Sequence, residues 1–289
     1  MHVAAAKGNV ALVQLLLDSG SPWNAVDAQG RTAGEYALEA GNGEVYELLL
    51  NAGIRAELIL NCVARKHSAG VPNEQFLTQK LVYNEETKSL VDPEGHGIMM
   101  GWESPIMSKH AQIIVPQPGG DILNVGFGMG IIDRLIQERL PGTHTIVEAH
   151  PDVYAYMLKE GWDKKPGVRI VFGRWQDVLE ELGQYDGIFF DTFGEFYEDL
   201  REFHEELPAL LKKNGIYSFF NGLAGTNGFF HDVYCKIVDL EMRELGFTTE
   251  YIKEDIDVQD KVWDGINGKY FQLNYYNYPI IKWTEEEED

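Results

Sequence analysis

Ile122-Leu123-Asn124-Val125-Gly126-Phe127-Gly128-Met129-Gly130 is the stretch that decides the fold of this chain. An apolar run stops at three glycines spaced by single residues, and a helical pattern, Ile131 to Arg139, starts at once. A second short apolar run, Thr145-Ile146-Val147, then ends in Glu148. Strand, glycine loop, helix, strand, acid is the nucleoside-cradling half of a doubly wound sheet. Glycines let the backbone approach a ligand closely, and a carboxylate at the tip of the second strand can accept both hydroxyls of a ribose.

The glycine spacing separates two ligand classes. The dinucleotide fingerprint has two residues before its last glycine, where a pyrophosphate meets the helix. Here the pattern is Gly-x-Gly-x-Gly, which suits a nucleoside without phosphates, such as S-adenosylmethionine. Alone, three glycines after a strand also describe a tight turn; Glu148 at the right place favours the ligand.

Outward from this unit, short apolar strands alternate with helices. Strands are expected at 122–125, 145–148, 169–172, 187–190 and 216–220. Helices are expected at 131–139, 153–159, 175–182, 200–211 and 232–245. Such alternation predicts a parallel sheet covered on both faces. Two aromatic-rich segments, Phe247–Lys253 and Tyr270–Tyr276, follow with no helix between them. The expected class is α/β: a seven-stranded, Rossmann-like class I methyltransferase sheet with a terminal antiparallel hairpin. A nicotinamide oxidoreductase is disfavoured by the same hairpin and by the glycine spacing.

Ahead of the sheet the chain repeats itself. Ala4, Gly8, Asn9, Leu15-Leu16-Leu17 and Gly20 recur as Ala37, Gly41, Asn42, Leu48-Leu49-Leu50 and Gly53. The offset is the ankyrin period of about 33 residues, and the residues resemble ankyrin repeats. Second helices are expected at 10–17 and 44–50, each closed by its glycine. Two repeats bury their faces poorly alone, so a further repeat upstream is expected. The predicted division is a small all-α ankyrin module at 1–62, a connector at 63–97, and a methyltransferase domain at 98–289.

The formal charge of −22 excludes a protein that neutralises phosphates with lysine and arginine, and suits a cationic partner. Part of the acid lies beside the expected site: Asp191, Glu195, Glu198, Asp199, Glu202, Glu205 and Glu206 stand against Arg201 alone. Glu285 to Asp289 reads as a solvated tail. Two distant cysteines, Cys62 and Cys235, imply neither a disulfide framework nor a metal cluster, and fit a reducing cytoplasmic or nuclear setting. No apolar run approaches a membrane span.

Three further segments carry chemistry in combination. Gly173-Arg174-Trp175-Gln176-Asp177 after the third strand offers an aromatic face and polar groups for an adenine, though it also reads as an ordinary helix start. Asp191, in Phe189-Phe190-Asp191-Thr192-Phe193, lies at the carboxyl end of the fourth strand, where ligands of open sheets sit. Met99-Met100-Gly101-Trp102-Glu103-Ser104-Pro105-Ile106-Met107 by itself reads as a core helix with one acid.

Together these segments resemble guanidinoacetate N-methyltransferase from about Gly97 to Tyr278. With ankyrin repeats in front, the whole is similar to the fungal type IV protein arginine methyltransferases. That resemblance implies methyl transfer from S-adenosylmethionine to the internal (δ) guanidino nitrogen of a protein arginine. It implies cofactor contacts by Phe76, Met99, Met107, Gly126, Phe127, Gly128, Met129, Gly130, Ile131, Ile132, Glu148, Ala149, His150, Trp175, Gln176 and Asp191. It also implies substrate contacts by Glu103 and Asp191, the expected catalytic pair, and Asn221 after the fifth strand is a further substrate candidate. Gln176 stands where the guanidinoacetate family has a glutamate, and His150 where it has an asparagine; both still hydrogen-bond a purine or ribose. No metal is implied. The expected partner is a basic protein, possibly ribosomal, with neither nucleic acid nor membrane. A small-molecule guanidino methyltransferase, and an ankyrin scaffold on a decayed enzyme, are the alternatives.

Overall fold

The computed structural model of the protein describes residues 1–64, 74–193 and 197–285, with residues 61–64 described by backbone alone. Part of the expected connector (65–73), Glu195 in the acidic run and most of the acidic tail (286–289) lie outside the described residues. The chain forms two compact units. One comprises Met1–Gly70, Gly222–Glu241 and Phe271–Leu273; the other comprises Val71–Asn221, Met242–Tyr270 and Asn274–Asp289. The linear boundaries expected at 62 and 98 therefore differ from the observed division, which sends two later segments to the repeat unit.

In the first unit, the helices α1 (His2–Ala6), α2 (Val10–Asp18), α3 (Ala33–Glu39) and α4 (Gly43–Ala64) form the repeats. Their starts are written in the sequence. Asn9 caps α2 by accepting the Leu12 N–H at 3.0 Å. Thr32 and Glu35 make a reciprocal capping box at α3. The Asn42 side chain donates to the Ala5 and Ala6 carbonyls at 2.9 and 3.0 Å, tying the second repeat to the first.

One expectation fails here. Gly53 does not close a helix; α4 runs through it to Ala64, absorbing the separate helix expected from Ala56. The reason is packing. A Cβ on Gly53 would lie 2.7 Å from the Trp23 ring and 3.0 Å from Val233. Gly34 likewise makes room for Phe229, whose ring would stand 2.1 Å from a Cβ there. Phe229 and Val233 belong to the helix Gly228–Glu244, most of which lies in this unit. Its aromatic ring Phe229 also meets Tyr46 edge-on at 5.5 Å, and the Tyr234 hydroxyl donates to Glu57 at 3.1 Å.

In the second unit, three short antiparallel strands come first: β1 (Val82–Asn84), β2 (Ser89–Val91) and β3 (Gly97–Met100). A 3-10 turn, Gly101–Glu103, leads into α5 (Ser104–Ile114). The Met99 to Met107 segment is thus strand, turn and helix start rather than one core helix. The main elements then alternate: β4 (Asp121–Val125), α6 (Ile131–Glu138), β5 (Thr143–Glu148), α7 (Pro151–Lys159), β6 (Val168–Phe172), α8 (Trp175–Val178), β7 (Tyr185–Phe190), α9 (Tyr197–Leu210), β8 (Leu211–Phe219), β9 (Phe247–Asp255) and β10 (Tyr275–Trp283).

The large sheet has seven strands in the order β6-β5-β4-β7-β8-β10-β9. The first five are parallel, and β10 runs antiparallel between β8 and β9. The second hairpin strand is Tyr275–Trp283, not Tyr270–Tyr276. An inner strand covered on both faces carries a continuous buried run, and Tyr276 to Tyr278 is that run. Tyr270 falls in the loop before it. The helix expected over 175–182 is also cut short, at Val178, with a 3-10 turn after it.

Candidate active site

The strand order reverses at β4, which pairs with β5 on one side and β7 on the other. Ligands of open α/β sheets bind outside the strand ends at such a switch point. There, the segments after β4, β5, β6 and β7 enclose a pocket of about 780 Å³, part of it open to solvent. That is the size range of small-molecule and cofactor sites. Its wall includes Gly126, Gly128, Glu148, Ala149, His150, Trp175, Gln176 and Asp191, together with Phe76 and Met99 from the chain ahead of the sheet.

The sheet ladder extends one step beyond each strand to hold these residues. The Gly126 N–H donates to Val147, the Gly173 N–H to Glu148 and the Asp191 N–H to Val125, each at 2.9 Å. Gly126, Gly128 and Gly130 all adopt positive φ, at 93°, 54° and 67°. The first thing they make room for is protein. A Cβ on Gly126 would lie 1.9 Å from the Asp191 carbonyl oxygen, and one on Gly128 would lie 2.8 Å from the Met99 Cε. The loop is therefore closed against β7 and β3 before any ligand arrives.

Glu148 holds the loop from the other side. Its carboxylate accepts the Phe127 N–H at 2.9 Å and the His150 N–H at 2.7 Å. Burial pushes its pKa up, against the pull of these backbone donors. Beneath the loop, the buried Asn124 amide donates to the Gly126 carbonyl and to Asp133 Oδ1, both at 2.8 Å.

His150 accepts the Asp152 N–H at Nδ1, 3.1 Å away, so its Nε2–H is the donor to the Phe76 carbonyl at 3.2 Å. Burial lowers its pKa, which keeps the ring neutral. Phe76 packs its ring against His150 and Phe193, at 5.0 and 4.8 Å. Trp175 is buried against Phe203, and its indole N–H has no hydrogen-bond partner among the described residues. A buried, unmatched donor in a pocket wall invites a ligand acceptor.

The two expected catalytic acids act on each other. Glu103 is 3% exposed, and burial together with the Asp191 charge pushes it up to about 8. Asp191 is pushed up to about 7, by burial and then by the charge of Asp133. Asp191 lines the pocket; Glu103 stands behind it, outside the lining. An acidic pair of this kind is short of a cation.

Known proteins supply one. Residues 72–278 match the family model of guanidinoacetate N-methyltransferase, and residues 1–50 that of ankyrin repeats. The chain is 36% identical to Protein arginine N-methyltransferase 2 of Aspergillus oryzae, covering 95% of this chain and 78% of that protein. It is 38% identical to the protein of the same name in Cryptococcus neoformans, over 98% of this chain and 85% of that one. For Saccharomyces cerevisiae the identity is 34%, over 93% and 77%. The chain belongs to the protein arginine N-methyltransferase 2 family. Its chemistry is arginine methylation, and the cation that the acidic pair lacks is a guanidinium.

Not every expected site residue of this methyltransferase faces the pocket. Met107, Phe127 and Ile132 are fully buried members of the core, and Phe127 meets Trp162 edge-on at 5.2 Å. Met129 and Ile131 line a different hollow with Tyr83, Arg134 and Tyr156. Gly130 packs against the Phe127 ring. The substrate role expected of Asn221 is not what its surroundings provide. It is wholly buried, its N–H donates to the Tyr276 hydroxyl at 2.6 Å, and its amide donates to the Asn277 carbonyl at 3.0 Å. Those bonds fix the end of β8 to β10, which is why a polar residue follows the strand. Leu77, Ile98, Val153, Thr192 and Phe193 line the pocket without having been singled out. Thr192 and Phe193 follow Asp191 directly, so the rule that ligands sit past strand ends reaches them; the others carry no local mark.

Proposed function

We propose that this enzyme transfers the methyl group of S-adenosylmethionine to the internal (δ) guanidino nitrogen of an arginine in a basic protein. The pairing of Asp191 in the pocket wall with buried Glu103 behind it carries this reading.

The pocket fits that cofactor. Glu148 stands where ribose hydroxyls would be held, and Trp175, Gln176 and His150 offer an aromatic face and hydrogen-bonding groups to a purine. The unmatched indole N–H of Trp175 points to the same use. When bound, S-adenosylmethionine supplies an electrophilic methyl group on a sulfonium.

The chain's own residues do the rest. A guanidinium has a pKa above about 12 and no localised lone pair. Two carboxylates grip its planar fork by charge-assisted hydrogen bonds and fix which nitrogen faces the methyl donor. Gripping the outer N–H groups leaves the internal nitrogen turned toward the donor, an alignment worth much of the rate. Asp191 is the proton acceptor, because it lines the pocket while Glu103 does not. A basic protein substrate is favoured by the net charge of −22 and by α9, which exposes Glu198, Glu202 and Glu205 to solvent.

The test supplies labelled S-adenosylmethionine with guanidinoacetate in one arm and a basic protein fraction in the other. Label in protein arginine, with fragment ions that place the methyl on the δ nitrogen, is the expected result. Label in guanidinoacetate alone overturns the protein substrate, and fragments from a terminal nitrogen overturn the regiochemistry.

A further inference from the structure

We infer that Tyr270, carried by the loop between β9 and β10, is the positioning residue for Glu103: its hydroxyl donates to Oε1 and turns Oε2 to the arginine. The inference rests on the reading of Glu103 as one of the two acids that grip the guanidinium.

Two donors converge on a single oxygen. The Met100 N–H donates to Glu103 Oε1 at 2.9 Å, and the Tyr270 hydroxyl makes a short hydrogen bond to the same atom. Neither reaches Oε2. A carboxylate tied at one oxygen by two donors is fixed in orientation and presents the other as an acceptor. The Met100 bond comes from the residue that precedes the 3-10 turn, so it is local. Tyr270 is the only partner of Glu103 among the described residues that is distant in sequence.

The surroundings hold Tyr270 in that place. Trp102 lies over its ring, with centroids 5.8 Å apart and planes inclined by 33°. Trp263 meets it edge-on at 4.9 Å. Gly97 leaves space for it: a Cβ there would come within 3.2 Å of Tyr270 Cε1. The loop itself is pinned to the turn ahead of β3. The Asn267 N–H donates to the Gly95 carbonyl at 2.8 Å, and the Asn267 side chain donates to the Glu94 carbonyl. A ring confined by two indoles and a glycine has one place for its hydroxyl, and Glu103 is there.

The titratable groups that bear on Glu103 are few. Asp191 from the end of β7 raises it, Tyr270 lowers it, and Tyr276 from β10 feels both acids. Asp133 from α6 acts on Asp191. Tyr270 is itself held well above its ordinary pKa, chiefly by burial, so its hydroxyl stays a donor across the working range. Removing that donor destabilises the charged carboxylate, and the Glu103 pKa rises further.

The test is Tyr270→Phe, which deletes the hydroxyl and keeps the ring. The acidic limb of kcat/KM for an arginine peptide should move up by about one pH unit, with activity at pH 7 down about tenfold. Binding of S-adenosylhomocysteine should be unchanged. A merely structural tyrosine would lower activity or stability without moving the limb. The second measurement needs no turnover. In pH-difference infrared spectra, the protonated carboxyl band that disappears in Glu103→Gln should persist to higher pH in Tyr270→Phe than in the parent. An unmoved band, or an unmoved limb with active parent enzyme, overturns the inference. A parent enzyme that methylates no arginine overturns the proposed function instead, and the infrared comparison still decides the role of Tyr270.

Discussion

The backbone carbonyl oxygen of Asp191 stands 1.9 Å from the place a Cβ on Gly126 would occupy. The methyl-donor loop and the catalytic strand end are thereby in backbone contact, and the position of the acid depends on the absence of a side chain across from it. Gly126→Ala forces a positive φ on alanine and drives β4 and β7 apart. It should cost at least ~3 kcal/mol and lower Tm by about 10 °C in a thermal melt. Gly128→Ala meets only the flexible end of Met99 and should lower Tm by less than half as much. Equal losses from the two would show that the close approach is not what matters.

Asp191→Asn should reduce kcat by about a thousandfold, because the pocket acid can no longer take the proton. Titration calorimetry with S-adenosylhomocysteine should give a Kd within about twofold of the parent, the magnitude expected when no hydrogen bond to the ligand is lost. Glu103→Gln should raise KM for the arginine substrate more than it lowers kcat, since that acid lies behind the pocket wall. A fully active Asp191→Asn enzyme would end the assignment.

Glu148→Ala removes the acceptor of the Phe127 and His150 N–H groups as well as the expected ribose contact. Both losses are measurable. Affinity for S-adenosylhomocysteine should fall by about a hundredfold, and stability by ~2 kcal/mol or more, because two buried donors lose their partner. Weakened binding with unchanged stability would mean that the loop is held by other bonds.

The raised pKa values set two pH effects of opposite use. Glu103 at about 8 and Asp191 at about 7 lie above the ordinary values of 4.5 and 3.8. From about pH 4 to about pH 8 the folded protein therefore holds more protons than the unfolded chain, and these groups make stability fall as pH rises. A cationic arginine favours the charged acids and expels those protons. Calorimetry of substrate binding at pH 7.5, in two buffers of different ionisation enthalpy, should show release of up to about one proton, shared by the coupled pair. Proton uptake would contradict the arrangement.

Phe229→Ala should destabilise the repeat unit by ~3–5 kcal/mol, since the ring fills the space that Gly34 leaves open. Hydrogen exchange should accelerate through α3 and α4.

Much of the fold was legible because its signals are local. The glycine loop and Glu148 mark the parallel sheet, and the repeat offset marks the ankyrin helices. The pocket was legible where the chain places chemistry at strand ends, as with Glu148, Trp175 and Asp191. It was less so where side-chain direction decides. Phe127, Ile132 and Met107 are adjacent to pocket residues in sequence but turn into the core. Asn221 follows a strand as Asp191 does, yet its polar groups are consumed by β10. Gly53 reads as a helix stop, and only the Trp23 ring against it explains why the helix goes on. Tyr270 reads as a strand aromatic, because nothing nearby in sequence announces Glu103.

The repeat unit incorporates Gly222–Glu241 and Phe271–Leu273, both from beyond β8. One scissile point in the polypeptide cannot free it: excision at residue 70 would leave Phe229 and Val233 without Gly34 and Gly53. Repeats acquired as a cassette would have been able to leave as one. These have been sewn through the enzyme's own sequence, so that the two parts are inherited, expressed and lost together.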